Sequence, residues 1–222
     1  MAEIIGPMER RGPPPPALRR LIGRAVTATT ARAPWLWPLL RRPVQGYFDR
    51  LAPDWDQRFD AGGVKHLAAL AAATASVSPA PERVLDIGTG TGEAALFLAR
   101  EFPRASVRGI DLSDEMIRSA QEKVGLDPEG RIAFRVADAA DLPYGEESFD
   151  LITLVNMPAF FAEIARVLRP GGHVIVVASG GPATPFYTPP AVLARGFRRH
   201  RVEPTSEGEA EGGIWWLGRK AG

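Results

Sequence analysis

Three carboxylates recur along the middle of this chain, each at or just past the end of a run of β-forming residues: Asp86 after Val84-Leu85, Asp111 after Val107-Arg108-Gly109-Ile110, and Asp138 after Ile132–Ala137. Between the first two lies Ile87-Gly88-Thr89-Gly90-Thr91-Gly92-Glu93, with glycine at every second position, and then Ala94–Arg100, which reads as a helix. A strand that ends in a glycine-rich turn and opens a helix offers bare main-chain N–H groups to a ligand at a helix N-terminus. An acid at the tip of the adjacent strand can accept hydrogen bonds from both hydroxyls of a ribose. The chemistry on offer is the holding of a nucleoside.

The spacing narrows the ligand. A G-x-G-x-x-G dinucleotide fingerprint counted from Gly88 would need its third glycine where Glu93 stands. The pattern present is D-x-G-x-G-x-G, and a buried acid before the loop repels a pyrophosphate but suits a ligand with a cationic end. The 25 residues from Asp86 to Asp111 do not by themselves separate one adenosine ligand from another. In these motifs the chain resembles the class I S-adenosylmethionine (SAM)-dependent methyltransferases, whose cofactor carries an ammonium and a sulfonium.

The elements that must position these acids follow in order. Ser113 is suited to N-cap the helix beginning Asp114-Glu115-Met116-Ile117. Leu151–Val155 reads as strand four. A helix at 160–168 has apolar residues at 160, 161, 164, 167 and 168 on one face and is expected to stop at Pro170-Gly171-Gly172. His173–Ala178 is strand five, apolar throughout as when helices cover both faces of a sheet. The run Glu163-Ile164-Ala165-Arg166-Val167-Leu168-Arg169-Pro170-Gly171-Gly172 strengthens the resemblance, which covers about residues 47–222. It implies an α/β, Rossmann-like, seven-stranded, mostly parallel sheet of order 3-2-1-4-5-7-6 with helices on both faces. The closing strands are expected at Arg201-Val202-Glu203 and Ile214–Gly218, around a turn at 206–213. The resemblance also implies SAM contacts from Asp86, Gly88, Thr89, Gly90, Gly92, Asp111, Leu112, Asp138 and Ala139, with Asp138 reading the adenine amino group and Ala139 N–H a ring nitrogen.

A methyl transfer from SAM is an in-line displacement that asks the protein mainly for alignment and a dry pocket. A base is needed only where the acceptor must lose a proton. The acceptor pocket is expected from the loops after strands four and five, with Asn156, Met157, Phe186 and Tyr187, and from Tyr47 and Trp55 in a helical lid over residues 47–80. The catalytic residue is left open, with Tyr187 the one candidate. His66 reads as a surface or packing residue, and His173 is expected at the sheet end away from the ligand. The acceptor is expected to be small and partly apolar, methylated on O, N or C. A non-catalytic SAM-binding regulator and an NAD(P)-dependent oxidoreductase are the alternatives, the second weakened by Asp86 and Glu93.

Composition sets the remaining bounds. With 222 residues and 45% hydrophobic content, one core and an appendage are expected. The absence of cysteine excludes disulfides and thiolate metal sites, and histidines at 66, 173 and 200 lack zinc spacing, so no metal is expected. No apolar run has the length of a membrane span and no signal peptide is read, so a soluble cytoplasmic protein is expected. The net charge of +1 conceals an asymmetry: residues 1–50 hold nine arginines and three acids. We read residues 1–46 as a basic arm containing Pro13–Pro16, expected to be extended and poorly ordered, a short helix at 18–30, and Pro34-Trp35-Leu36-Trp37-Pro38. Such an arm can pack on the domain or in a homodimer, or contact a membrane surface. Nucleic acid is disfavoured because the rest of the chain is acidic.

Overall fold

The computed structural model describes residues 15–59, 63–125, 127 and 129–222. Seven strands form one sheet in the order β3-β2-β1-β4-β5-β7-β6, the order expected. They are β1 Arg83–Ile87, β2 Ser106–Asp111, β3 Ile132–Val136, β4 Phe149–Val155, β5 Leu168–Ala178, β6 Val202–Ala210 and β7 Gly213–Lys220. The pairs β1·β2, β2·β3, β1·β4 and β4·β5 are parallel, while β7 runs antiparallel to both β5 and β6.

Period-two alternation divides the strand side chains between two cores. Leu85, Ile87, Ile152, Leu154, Val174 and Val176 face α7 (Phe161–Val167) and α8 (Pro190–Arg198). Val84, Leu151, Ile175 and Val177 face α4 (Val64–Thr74), α5 (Glu93–Glu101) and α6 (Asp114–Val124). Helices therefore cover both faces, which is why the central strands are apolar on both sides.

Two boundaries differ from expectation. The helix before β5 is shorter, and the chain enters β5 directly at Leu168; Phe149 pairs with Leu168 but Leu151 pairs with His173, so 169–172 bulge out of register. His173 thus sits inside β5, buried near the start of β4, and desolvation followed by the Arg219 charge lowers its pKa. At the other edge, β6 extends through most of the segment expected to be a turn, leaving Glu211-Gly212 as the connection to β7. Gly208 belongs to that strand because the Trp215 ring packs over it; a Cβ there would lie 2.8 Å from the indole.

The N-terminal segment is helical. Pro13 and Pro14 lie outside the described residues, whereas Pro15 and Pro16 open α1 (Pro16–Arg32), where proline's fixed φ suits the first turn. A second helix, α2 (Trp37–Leu51), runs without interruption across the 46/47 position, and the short α3 (Trp55–Phe59) follows it. Val26 of α1 and Trp37 of α2 are buried in the same core as α7 and α8.

Candidate active site

The glycine loop is held from behind. Thr89 N donates to Ile110 O (2.9 Å), and Gly90 N donates to Asp111 Oδ2 (2.9 Å). Asp111 Oδ1 accepts from Ser113 N (2.9 Å), so one carboxylate anchors both the loop and the start of α6. Burial raises its pKa, opposed by these main-chain donors. Ser113 caps α6 as expected, its Oγ accepting from Met116 N (3.2 Å). Gly88 and Gly92 have φ of +69° and +89°, which L side chains rarely adopt. A Cβ on Gly92 would stand 2.8 Å from the Phe134 ring and 3.0 Å from Ala120 Cβ, so this glycine serves packing under the loop.

Asp86 lies behind the loop at 1% exposure and not on the cleft wall, where a direct ligand contact was expected. Its Oδ1 accepts from Thr153 Oγ1 (2.7 Å), and the buried Thr89 hydroxyl stands beside the carboxylate as a second donor to it. Desolvation raises its pKa to about 6, with the Thr89 and Thr153 hydrogen bonds opposing and the Asp111 charge adding.

A cleft of about 640 Å³ opens at the carboxyl ends of the central strands, within the range of small-molecule sites. Gly88, Thr89, Asp111, Leu112, Asp138 and Ala139 line one side of it, and Asn156, Met157 and Phe186 another. Tyr47, Phe48 and Trp55 close over the top; ring centroids lie 5.3 Å apart for Tyr47–Phe48, 5.7 Å for Phe48–Trp55 and 6.0 Å for Phe48–Phe186. Gly90 faces Trp55, with 3.8 Å between its would-be Cβ and the indole nitrogen. The Asn156 amide is engaged with Ser179, donating to Oγ and accepting from N, both at 2.8 Å, which ties the loop after β4 to the loop after β5.

Tyr187 does not join them. It lines a smaller side pocket with Val176, Leu193 and Trp216, and Arg24 sits over its ring at 5.7 Å. His66, read as surface or packing, lines the main cleft.

The residues missed from sequence come from the arm. Trp37 Nε1 donates to both Asp138 oxygens, and Arg41 lies 3.6 Å from Oδ2. Arg19, Ile22, Leu40 and Val44 also line the cleft. A signal was present: Trp37, Leu40, Val44, Tyr47, Phe48 and Leu51 follow helical spacing through α2. Polar contacts fasten this lid. Ser113 Oγ donates to Asp49, Thr91 Oγ1 donates to Asp56, and Lys123 bridges Asp56 and Glu93.

The comparisons with known proteins agree with this geometry. A family model described as "Methyltransferase domain" matches residues 84–172. The ubiquinone/menaquinone biosynthesis C-methyltransferase UbiE of Syntrophotalea carbinolica is 36% identical over 162 residues, covering 69% of this chain and 67% of that protein. This chain belongs to the class I SAM-dependent methyltransferases. A demethylmenaquinone methyltransferase of Deinococcus radiodurans is 33% identical, with 65% of this chain and 63% of the relative covered. The chain spans about two thirds of the length of these relatives. Among solved structures, an SAM-dependent methyltransferase from Aquifex aeolicus has the same fold, with a TM-score of 0.58, 17% identity and coverage of 70% and 91%. SAM is the methyl donor of this methyltransferase, and the buried acid Asp86 behind the loop fits its positive charge.

Proposed function

We propose that this methyltransferase alkylates a ring carbon of a quinol-type acceptor, a hydroxylated aromatic ring with an apolar substituent. The observation that carries the reading is one cleft continuous from Asp111 and Asp138 to the aromatic wall of Phe48 and Phe186. The quinone C-methyltransferase names of the relatives support the acceptor class.

In this reading Asp111 accepts from the ribose hydroxyls, Asp138 from the adenine amino group, Ala139 N–H meets a ring nitrogen, and Leu112 packs on the base. Main chain at Gly88, Thr89 and Gly90 holds the amino-acid end, with the charge of Asp86 beneath and Gly92 fixing the turn. Trp55, Tyr47, Met157, Asn156 and Phe186 surround the acceptor. Helices α1 and α2 complete the catalytic unit of residues 47–222, a view supported by the burial of Trp37.

SAM, when bound, supplies an electrophilic methyl group and a good leaving group. The lid excludes water, which strengthens the electrostatic contacts within the cleft. A ring carbon becomes nucleophilic when a neighbouring hydroxyl gives up its proton, so a base is needed at that oxygen. Outside the nucleoside-binding set, Tyr47, His66 and Glu93 line the cleft and can exchange protons. Burial raises the Tyr47 phenol, which therefore holds its proton, and Glu93 is paired with Lys123 at 2.7 Å. An imidazole is the side chain best suited to take a proton near neutral pH, and we assign that role to His66.

The reading is tested by S-adenosylhomocysteine release with short-chain naphthoquinones. Turnover with the reduced quinol and none with the oxidised quinone is expected. Turnover with neither, alongside normal SAM binding, would refute the acceptor class.

A further inference from the structure

Apolar exposure is concentrated on one part of this molecule. Six large hydrophobic side chains stand exposed among the described residues, and five belong to the N-terminal helices: Leu18 at 45%, Leu21 at 67%, Ile22 at 49%, Trp35 at 73% and Leu39 at 73%. Leu18, Leu21 and Ile22 share one face of α1 at i, i+3 and i+4, while Gly23, Val26 and Thr27 turn toward the protein. Trp35 and Leu39 lie four residues apart across the start of α2.

Charge is concentrated there too. Residues 15–48 contain six arginines and neither Asp nor Glu, whereas residues 49–222 carry a net charge of −5. Arg20, Arg32 and Arg42 are exposed and interleave with the apolar side chains. A protein partner would need matching apolar and acidic surfaces together. An anionic bilayer offers both, with acyl chains for leucine and tryptophan and phosphates for arginine.

We propose that α1 and the start of α2 form a docking surface for an anionic lipid membrane, and that docking brings the cleft mouth against the bilayer. Ile22 is both exposed and part of the cleft wall, so the apolar surface runs into the cleft at this point. An apolar acceptor can then pass from lipid to cleft without crossing water. This purpose rests on the acceptor reading above; the docking surface itself rests on the arm. Among the described residues no helix is long and apolar enough to cross a membrane, so the contact is peripheral.

The test is co-sedimentation of the full chain with vesicles of phosphatidylcholine alone or with one quarter phosphatidylglycerol, at low and high salt. Binding at least tenfold tighter to the anionic vesicles, and weakened by salt, is expected. Leu21→Ser/Trp35→Ser and Arg20→Glu/Arg32→Glu should each weaken it at least tenfold, with turnover of a water-soluble short-chain quinol unchanged. Equal binding to both vesicles, no binding, or wild-type binding by both variants would overturn the proposal. So would a concentration-dependent dimer in sedimentation that Leu21→Ser/Trp35→Ser dissolves, since a second copy would then cover the patch. Loss of membrane binding with soluble turnover intact leaves the acceptor reading standing; failure of soluble turnover with membrane binding intact does the reverse.

Discussion

The indole N–H of Trp37 lies 2.9 Å from one oxygen of Asp138 and 3.0 Å from the other. It joins the N-terminal helices to the carboxylate assigned to the adenine amino group, across 101 residues of sequence. Ala140 N also donates to Oδ1 at 2.9 Å, so the carboxylate is oriented before any ligand arrives. Trp37→Phe keeps an aromatic ring against Phe160, whose centroid is 5.1 Å away, and removes only the donor. A hydrogen bond to a charged group contributes about 1.5–3 kcal/mol, so SAM affinity should fall about tenfold or more by calorimetry, with the fold retained. Unchanged affinity would separate the arm from the cofactor site.

The glycines of the loop should fail in different ways. Gly92→Ala meets Phe134 and Ala120 and should lower stability by about 1–3 kcal/mol, read from denaturant unfolding. Gly90→Ala faces the cleft side near Trp55, so its larger effect should be on SAM affinity, beyond the cost of its φ of +55°. Equal effects of both on affinity and stability would contradict this division.

Much of the fold was legible because its signals are local. The strands around Asp86, Asp111 and Val155 and the glycine loop are each readable within a few residues, and the sheet order came with the family resemblance that those motifs carry. The arm was not legible in the same way. Trp37 meets Asp138 only in three dimensions, and a boundary at 46/47 cut the apolar stripe of α2 in two. Residues 206–210 read as a turn from glycine and glutamate, yet glutamates at 207 and 209 suit the solvent side of an edge strand and Gly208 makes room for Trp215. Asp86 was recognised as an important acid, but its place behind the wall depends on Thr153, 67 residues away.

The buried Asp86 gives a pH dependence with a definite sign. Its carboxyl keeps its proton in the folded protein up to about pH 6, against 3.8 ordinarily. The stability it contributes is therefore full below about pH 4 and lost as pH rises toward 6, a change on the order of 3 kcal/mol. Asp86→Asn can still accept from Thr153, so its apo form should melt higher than wild type at pH 7.5 and approach it at pH 4. SAM affinity in the wild type should rise between pH 5 and 7 as the carboxylate ionises, and Asp86→Asn should flatten that rise. A lower melting temperature for Asp86→Asn at pH 7.5 would show that the carboxylate is satisfied in the fold.

His66→Gln tests the proton acceptor. SAM affinity should be unchanged while kcat for the quinol falls about 100-fold, the usual scale of general base catalysis. Activity that recovers with rising pH, as the quinol ionises unaided, would support the role. A fall in SAM affinity with kcat preserved would place His66 in cofactor binding.

Carbon methylation of a quinol within one cleft is measured most directly with SAM labelled with 13C in its methyl group. The reduced short-chain naphthoquinol is the acceptor, and the product is read by carbon–proton correlation. One labelled methyl on a ring carbon is expected for each S-adenosylhomocysteine formed. A label found on oxygen, or S-adenosylhomocysteine formed without a labelled product, would contradict it.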